Sequence, residues 1–266
     1  MHYEVAPFVA RPYRPAPTLS PTLLPSDFAG EVVPSAAVQV VLLHALPLDG
    51  TMWANETELD PAATVAPTLY GLGATVEQWA RGVLDLVGDG PLVLVGNSIG
   101  GSCALEMAYL APERVAAIVL VGAKAGHRPQ PDFRDEVVTL LRSGGIAAAW
   151  AKYWAPLFGT AAPVDVIERA RQLALAQDVE AVVRGTLAFH SRPDRSEFVR
   201  QWRKPLVVVS GDQDRRDTAV ALAASAPLGE LHLVADAGHY VPLEQPGAMR
   251  HLLEHVTNSV GDRPIG

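Results

Sequence analysis

The segment Gly96-Asn97-Ser98-Ile99-Gly100 follows directly on the apolar run Pro91-Leu92-Val93-Leu94-Val95. A serine flanked two residues away on each side by glycine fits a very tight strand-to-helix turn. The backbone there is strained, and any side chain at the flanking positions would collide. Gly100, Gly101, Ser102, Cys103 and Ala104 are all small, so the helix they open can pack close to a sheet. Such a turn lifts the serine hydroxyl above the strand ends and sets it at a helix N-terminus, where the dipole favours negative charge. As five residues the pattern is weakly specific. The strand before it and the helix after it are what give it weight.

The neighbouring sequence supplies a matching framework. Val38–Leu43, Val115–Val121 and Leu206–Val209 are short, β-branched apolar runs, as expected of strands covered on both faces, and Glu230–Val234 is a less pure fifth. Helix-like segments lie between them. Thr75-Val76-Glu77-Gln78 reads as a capping box opening a helix to about Val87, Ser102–Leu110 is stopped by Pro112, and Thr218–Ala226 and Pro246–Val256 follow. Strands alternating with helices predict an α/β fold with a mostly parallel central sheet and helices on both faces.

Residues 124–204 break the rhythm with four helix-like stretches near 132–143, 145–158, 164–177 and 178–190, and no convincing strand. This predicts an inserted all-helical cap over the strand ends, where open α/β sheets bind ligands. The expected organisation is a core of 38–123 and 205–266, a cap of 124–204, and an N-terminal arm of 1–37. The arm carries seven prolines between Pro7 and Pro34 and is expected to be extended coil.

Composition narrows the function classes. A formal charge of −8 disfavours nucleic acid as a partner. No uninterrupted apolar stretch suits a membrane span, and the N-terminus lacks a signal-peptide pattern. One cysteine, Cys103, permits no internal disulfide, so a cytoplasmic protein is expected. His251 and His255 lie four apart without nearby further ligands, so no metal and no cofactor are expected.

A serine hydroxyl needs an adjacent base, itself oriented by an acid. His239, in Asp236-Ala237-Gly238-His239, stands just after the strand ending at Val234, on the same side of the sheet as Ser98. The acid is expected after Leu206–Val209, where Gly211-Asp212-Gln213-Asp214 offers both Asp212 and Asp214. An oxyanion hole requires two backbone N–H groups. Ile99, after the nucleophile, supplies one, and Leu46 in His44-Ala45-Leu46-Pro47 is chosen for the other because Pro47 has none. His44 is expected to brace that loop.

Together, Leu42–Gly50 (LLHALPLDG), Gly96–Gly101 (GNSIGG), Gly211–Asp214 (GDQD), Asp236–His239 (DAGH) and Pro112–Val115 (PERV) resemble the α/β-hydrolase superfamily, in its esterase, lactonase and C–C hydrolase branches. The resemblance covers about residues 38–257. It implies the α/β-hydrolase fold, and its G-x-x-D pattern selects Asp214 as the acid. Three departures stand out: His44-Ala45 where His-Gly is common, Thr68-Leu69-Tyr70-Gly71-Leu72-Gly73 where D-x-P-G-x-G is usual, and the Pro-rich arm in place of a first hairpin. An aspartate or cysteine nucleophile, as in related dehalogenases and dienelactone hydrolases, is excluded by Ser98.

The expected reaction is hydrolysis of a carboxylic ester or lactone of a small, partly apolar molecule. A C–C bond hydrolase, a cofactor-free haloperoxidase or perhydrolase, and a non-catalytic ligand-binding protein are the alternatives. Trp150, Trp154, Phe189 and His190 are the expected substrate contacts. Residues 124–200 hold eleven Lys/Arg against nine Asp/Glu, a balance that mildly suits an anionic substrate.

Overall fold

The computed structural model describes residues 37–58 and 60–261, so the arm assigned to 1–37 lies, apart from Ala37, outside the described residues. Among the described residues, six strands form one sheet: β1 Gln39–Leu43, β2 Thr64–Val65, β3 Leu92–Asn97, β4 Val115–Val121, β5 Leu206–Gly211 and β6 Gly229–Val234. Their order is β2-β1-β3-β4-β5-β6, and every pairing is parallel. The helices are α1 Ala54–Thr57, α2 Val76–Leu86, α3 Ile99–Leu110, α4 Pro131–Ala149, α5 Val164–Leu175, α6 Val179–Ser191, α7 Ser196–Gln201, α8 Arg216–Ser225, α9 Val241–Glu244 and α10 Pro246–Gly261.

Strand residues alternate between two apolar layers, as the two-residue period of a strand requires. Val41, Leu43, Leu92, Leu94, Ile118 and Leu120 share one core with Trp79 and Val83 of α2, Leu105 of α3 and Leu222 of α8. Leu42, Val93, Val95, Val119 and Val121 share the other with Met249 and Leu253 of α10 and with Trp53. Covered on both sides, β3 and β5 are buried along their whole length. The edge strand β6 is only partly buried, which explains its less apolar sequence.

Parallel register brings the carboxyl ends of five strands together. Leu43 stands opposite Gly96, Asn97 opposite Val121, and Gly211 opposite Val234. The loops after β1, β3, β4, β5 and β6 therefore rise at one sheet edge. The chain leaves β1 for β2 on one side and returns to β3 on the other, which makes the β1/β3 crevice the switch point where such sheets bind ligands.

A local signal opens α2: Thr75 Oγ1 accepts from Gln78 N–H at 3.2 Å, while Gln78 Oε1 accepts from Ala74 N–H at 2.7 Å. Helix α3 begins at Ile99, three residues before the expected Ser102, because Ser98 itself stands at its N-cap position. Between β4 and β5 the described elements are the helices α4 to α7 with turns. The stretch expected as one helix at 145–158 is instead the end of α4, a wide five-residue turn at Trp150–Trp154 and a tight turn at Ala155–Leu157. Gly145, at φ 72° and ψ −179°, is not helical and kinks α4 beside the break expected between 143 and 145, in a conformation costly for other residues. The two-residue β2 was not expected, since so short a ladder carries no periodicity. No helix among the described residues is long and apolar enough to cross a membrane.

Leu94, at 0% exposure in the middle of β3, and Leu86, at 59% on α2, make a matched test. Leu94→Ala is expected to cost about 2–5 kcal/mol in urea unfolding. Leu86→Ala should stay within about 0.5 kcal/mol.

Candidate active site

At the end of β3 the chain turns sharply into α3 through Ser98, which sits at φ 56° and ψ −114°. A left-handed serine of this kind survives only where its surroundings overdetermine it. Ser98 N–H donates to Val121 O at 2.8 Å on β4, and Gly101 N–H donates to Ser98 O at 3.0 Å. A Cβ at Gly96 would stand 2.3 Å from Gly100 C, and one at Gly100 would stand 2.1 Å from Leu43 O. Glycine at both positions is what lets the turn close against β1.

The β5 and β6 loops contribute a hydrogen-bonded pair. His239 Nδ1 lies 2.8 Å from Asp214 Oδ2, with both side chains largely buried. Burial alone would raise the Asp214 pKa. The His239 hydrogen bond and the charges of His239 and Arg215 outweigh it and hold the carboxyl below its ordinary range. An ionised carboxylate only accepts, so Nδ1 carries the proton and Nε2 is left free to take one. Ser98, Asp214 and His239 all line one cavity of about 200 Å³. Asp212 is turned elsewhere: its N–H donates to Val234 O at 2.9 Å and its carboxylate accepts from Ala237 N–H at 3.4 Å.

Beneath this pair passes Gly122, at φ 55° just after β4. A Cβ there would stand 2.9 Å from His239 Nδ1 and 3.2 Å from Asp214 Oδ2. The site therefore needs glycine at this position as well as at the Ser98 turn.

Ile99 and Leu46 are the two residues expected to offer backbone donors. Ile99 opens α3, and the first N–H groups of a helix have no intrahelical acceptor. Leu46 lines the cavity from the β1 loop, and that loop is firmly braced. Leu69 N–H donates to His44 Nε2 at 2.9 Å, so the proton sits on Nδ1, which donates to Ala45 O at 3.1 Å. Tyr240 O–H donates to Leu46 O at 3.0 Å. Ala45 N–H is directed at Met52 Sδ, 3.3 Å away. The alanine that departs from the common His-Gly pair is fully buried here, with its own N–H already engaged.

Several residues that hold these loops went unnoticed in the sequence. Buried Asn97 donates through Nδ2 to Val121 O at 2.9 Å and His239 O at 3.1 Å, tying the nucleophile's strand to the histidine's loop. The buried carboxylate of Glu244 accepts from Gly238 N–H at 2.9 Å, Tyr240 N–H at 3.0 Å and Gly159 N–H at 2.7 Å. His239 N–H donates to Leu157 O at 2.8 Å, and Gln213 Oε1 accepts from Thr160 N–H at 2.8 Å. Asn97 and Gln213 adjoin or fall inside motifs already quoted, so position was the available signal. Glu244 gave none, because its partners are backbone groups.

Of the four aromatic and histidine contacts expected for a substrate, Trp154, Phe189 and His190 line the cavity. Trp150 does not. It is buried in the core behind, with its ring centroid 6.0 Å from that of Phe158. Phe133 and Tyr153, two further aromatics of the segment 124–204, line the cavity too, and so do Lys124 and Arg215, which were not singled out. Among the described residues, no group of three or more His, Cys, Asp or Glu could hold a metal ion.

Residues 40–251 match the model of the Alpha/beta hydrolase family. Among curated proteins, the chain is 27% identical to a 2-hydroxy-6-oxo-2,4-heptadienoate hydrolase of Pseudomonas putida, over 77% of this chain and 84% of that one. Among solved structures, a thermophilic esterase from Thermogutta terrifontis superposes with a TM-score of 0.77 at 28% identity, over 84% of this chain and 90% of that one. The enol-lactonase from Burkholderia xenovorans shares the fold, with a TM-score of 0.72 at 20% identity over 84% and 92%.

His44 makes the β1 loop sensitive to acid. Burial pushes its pKa down from 6.5 to about 4, against the raising influence of the Ala45 hydrogen bond and of Asp49. The ring stays neutral when folded but protonates near 6.5 when unfolded. Its contribution to stability is therefore complete above that pH and falls by about 1.4 kcal/mol per pH unit between about 6.5 and 4. Urea unfolding across this range should show a shallower decline in His44→Gln than in the unaltered protein.

Proposed function

The chain belongs to the alpha/beta hydrolase family, and we propose that within it the protein is a serine hydrolase cleaving a carboxylic ester or lactone of a small molecule through an acyl-enzyme. One observation carries this reading. An ionised Asp214 holds the imidazole of His239 with its second nitrogen free, at the cavity onto which the strained turn of Ser98 also opens.

In this mechanism His239 Nε2 removes the Ser98 proton as Oγ attacks the substrate carbonyl. The N–H groups of Ile99 and Leu46 hold the developing oxyanion, each worth about 2.7–4 kcal/mol in known cases. The imidazolium, stabilised by Asp214, returns the proton to the leaving alcohol or, in a lactone, to the ring oxygen. Water then adds to the acyl carbonyl with His239 again as base, and Ser98 departs with the carboxylic acid released. Trp154, Phe189 and His190 contact the substrate, and residues 124–204 serve as the cap over a core of 38–123 and 205–266. The single buried cysteine, Cys103, suits a reducing cytoplasm.

Cleavage of a C–C bond is the second reading, favoured by the 27% identity to relatives named as hydrolases of oxodienoates. The same serine and histidine would then act on a ketone flanked by a vinylogous acid. Comparing simple p-nitrophenyl esters and lactones with a vinylogous diketone separates the two readings.

Ser98→Ala should lower ester turnover by about 10⁴-fold or more and abolish labelling by a fluorophosphonate probe. Asp214→Asn, which leaves the shape but disturbs the imidazole tautomer, should cost about 10³–10⁴-fold in kcat. A protein that binds these esters without turning them over, and whose Ser98 does not label, would be a receptor instead.

A further inference from the structure

Positive charge gathers at the cavity. Lys124, two residues past Gly122, and Arg215, the neighbour of Asp214, both line it. Phe189, a wall residue, carries the Lys124 ammonium 5.7 Å from its ring centroid and the Arg192 guanidinium 4.1 Å from the same centroid. Arg192 is only 4% exposed, and it donates to the carbonyls of Phe189 and Gly126 while its Nε finds no partner.

Among the described residues, none of these three cations has a carboxylate within ion-pairing distance, although the chain carries a net −8. The nearby acids make their hydrogen bonds elsewhere, Asp214 to His239 and Asp194 to the N–H groups of His127 and Ser196, and act on Arg215 and Arg192 only from beyond ion-pairing distance.

Two of these cations act on the third. Burial first, then Arg192 and Arg215, lower the Lys124 pKa. Burial, then Arg192, His127, Arg134 and Lys124, hold His190 down at about 4, so that wall residue adds no charge at neutral pH. Charges of one sign crowded into a partly desolvated pocket are costly unless an anion completes them. The walls otherwise offer aromatic surface from Phe133, Tyr153 and Trp154, which suits a short carbon chain.

We propose that Lys124 and Arg215, backed by Arg192 through Phe189, form an anion subsite, and that the substrate is an acidic ester or lactone bearing a carboxylate on the acyl chain whose carbonyl Ser98 attacks. The inference rests on the serine-hydrolase reading and narrows its substrate class. Lys124 supplies the mobile charge, and Arg215 fixes direction with a planar set of donors.

The test compares mono-p-nitrophenyl adipate with p-nitrophenyl hexanoate, which differ by a carboxylate in place of a methyl group. The wild type should favour the adipate in kcat/KM by about 10-fold or more. Lys124→Met should lower the adipate-to-hexanoate ratio by about 10- to 100-fold, chiefly through KM, as expected for loss of one charge-assisted hydrogen bond. Lys124→Arg should restore much of the ratio, and added salt should depress it in the wild type. A wild-type ratio near or below one, or a ratio that Lys124→Met leaves unchanged, overturns the proposal.

Thermal melting with sodium adipate, read on Ser98→Ala, isolates the subsite from catalysis. A rise in Tm that is lost in Ser98→Ala/Lys124→Met supports the subsite even if neither ester is hydrolysed, in which case only the hydrolase reading fails. No rise in Tm, with both esters cleaved, overturns the subsite alone. If Lys124→Met does not fold, Arg215→Gln carries the same ratio measurement.

Discussion

The closure of the turn at Ser98 is the constraint on which the rest of this structure depends. A serine at φ 56° is unfavourable by itself, and it is held by Val121 O on one side and by the close approach of Gly100 to Leu43 O on the other. Those contacts exist only because β1, β3 and β4 run parallel with their carboxyl ends level. The same register delivers Leu46, Gly122, Asp214 and His239 to the same edge. Sheet topology and site geometry are thus one arrangement, and the buried strand residues that fix the register also position the chemistry.

Much of this was legible in the chain because the central strands are covered on both sides. Runs such as Leu92–Val95 and Val115–Val121 admit few other readings, and the glycines at 96 and 100 restrict what can follow. The choice between Asp212 and Asp214 could not be made locally. Each is a loop carboxylate two residues from the other, and only the return of the β6 loop shows which one meets His239. Trp150 misled for a related reason. A buried aromatic on a helical segment looks the same whether it faces a cavity or a core, and Gly145 together with the wide turn after α4 rotates this one into the core. The cations at the cavity left only a faint composition bias, since charge balance along a segment says nothing of which side chains converge.

Polar groups beneath the site do work that apolar ones could not. Asn97 links two strand ends to the histidine's loop by donating to the carbonyls of Val121 and His239. His44 does the same for the β1 loop by presenting one donor and one acceptor in opposite directions. Both residues are fully buried, and each makes its bonds to backbone groups, so each fixes where a loop runs and leaves the neighbouring side chains free to vary.

The carboxylate of Glu244 has a mechanical consequence. It grips Gly159 together with Gly238 and Tyr240, while Leu157 and Thr160 are pinned to His239 and Gln213. The stretch 157–160 is thereby riveted to the loops that carry Asp214 and His239, so a displacement of any one of these three segments is passed to the other two through backbone hydrogen bonds rather than through side-chain packing.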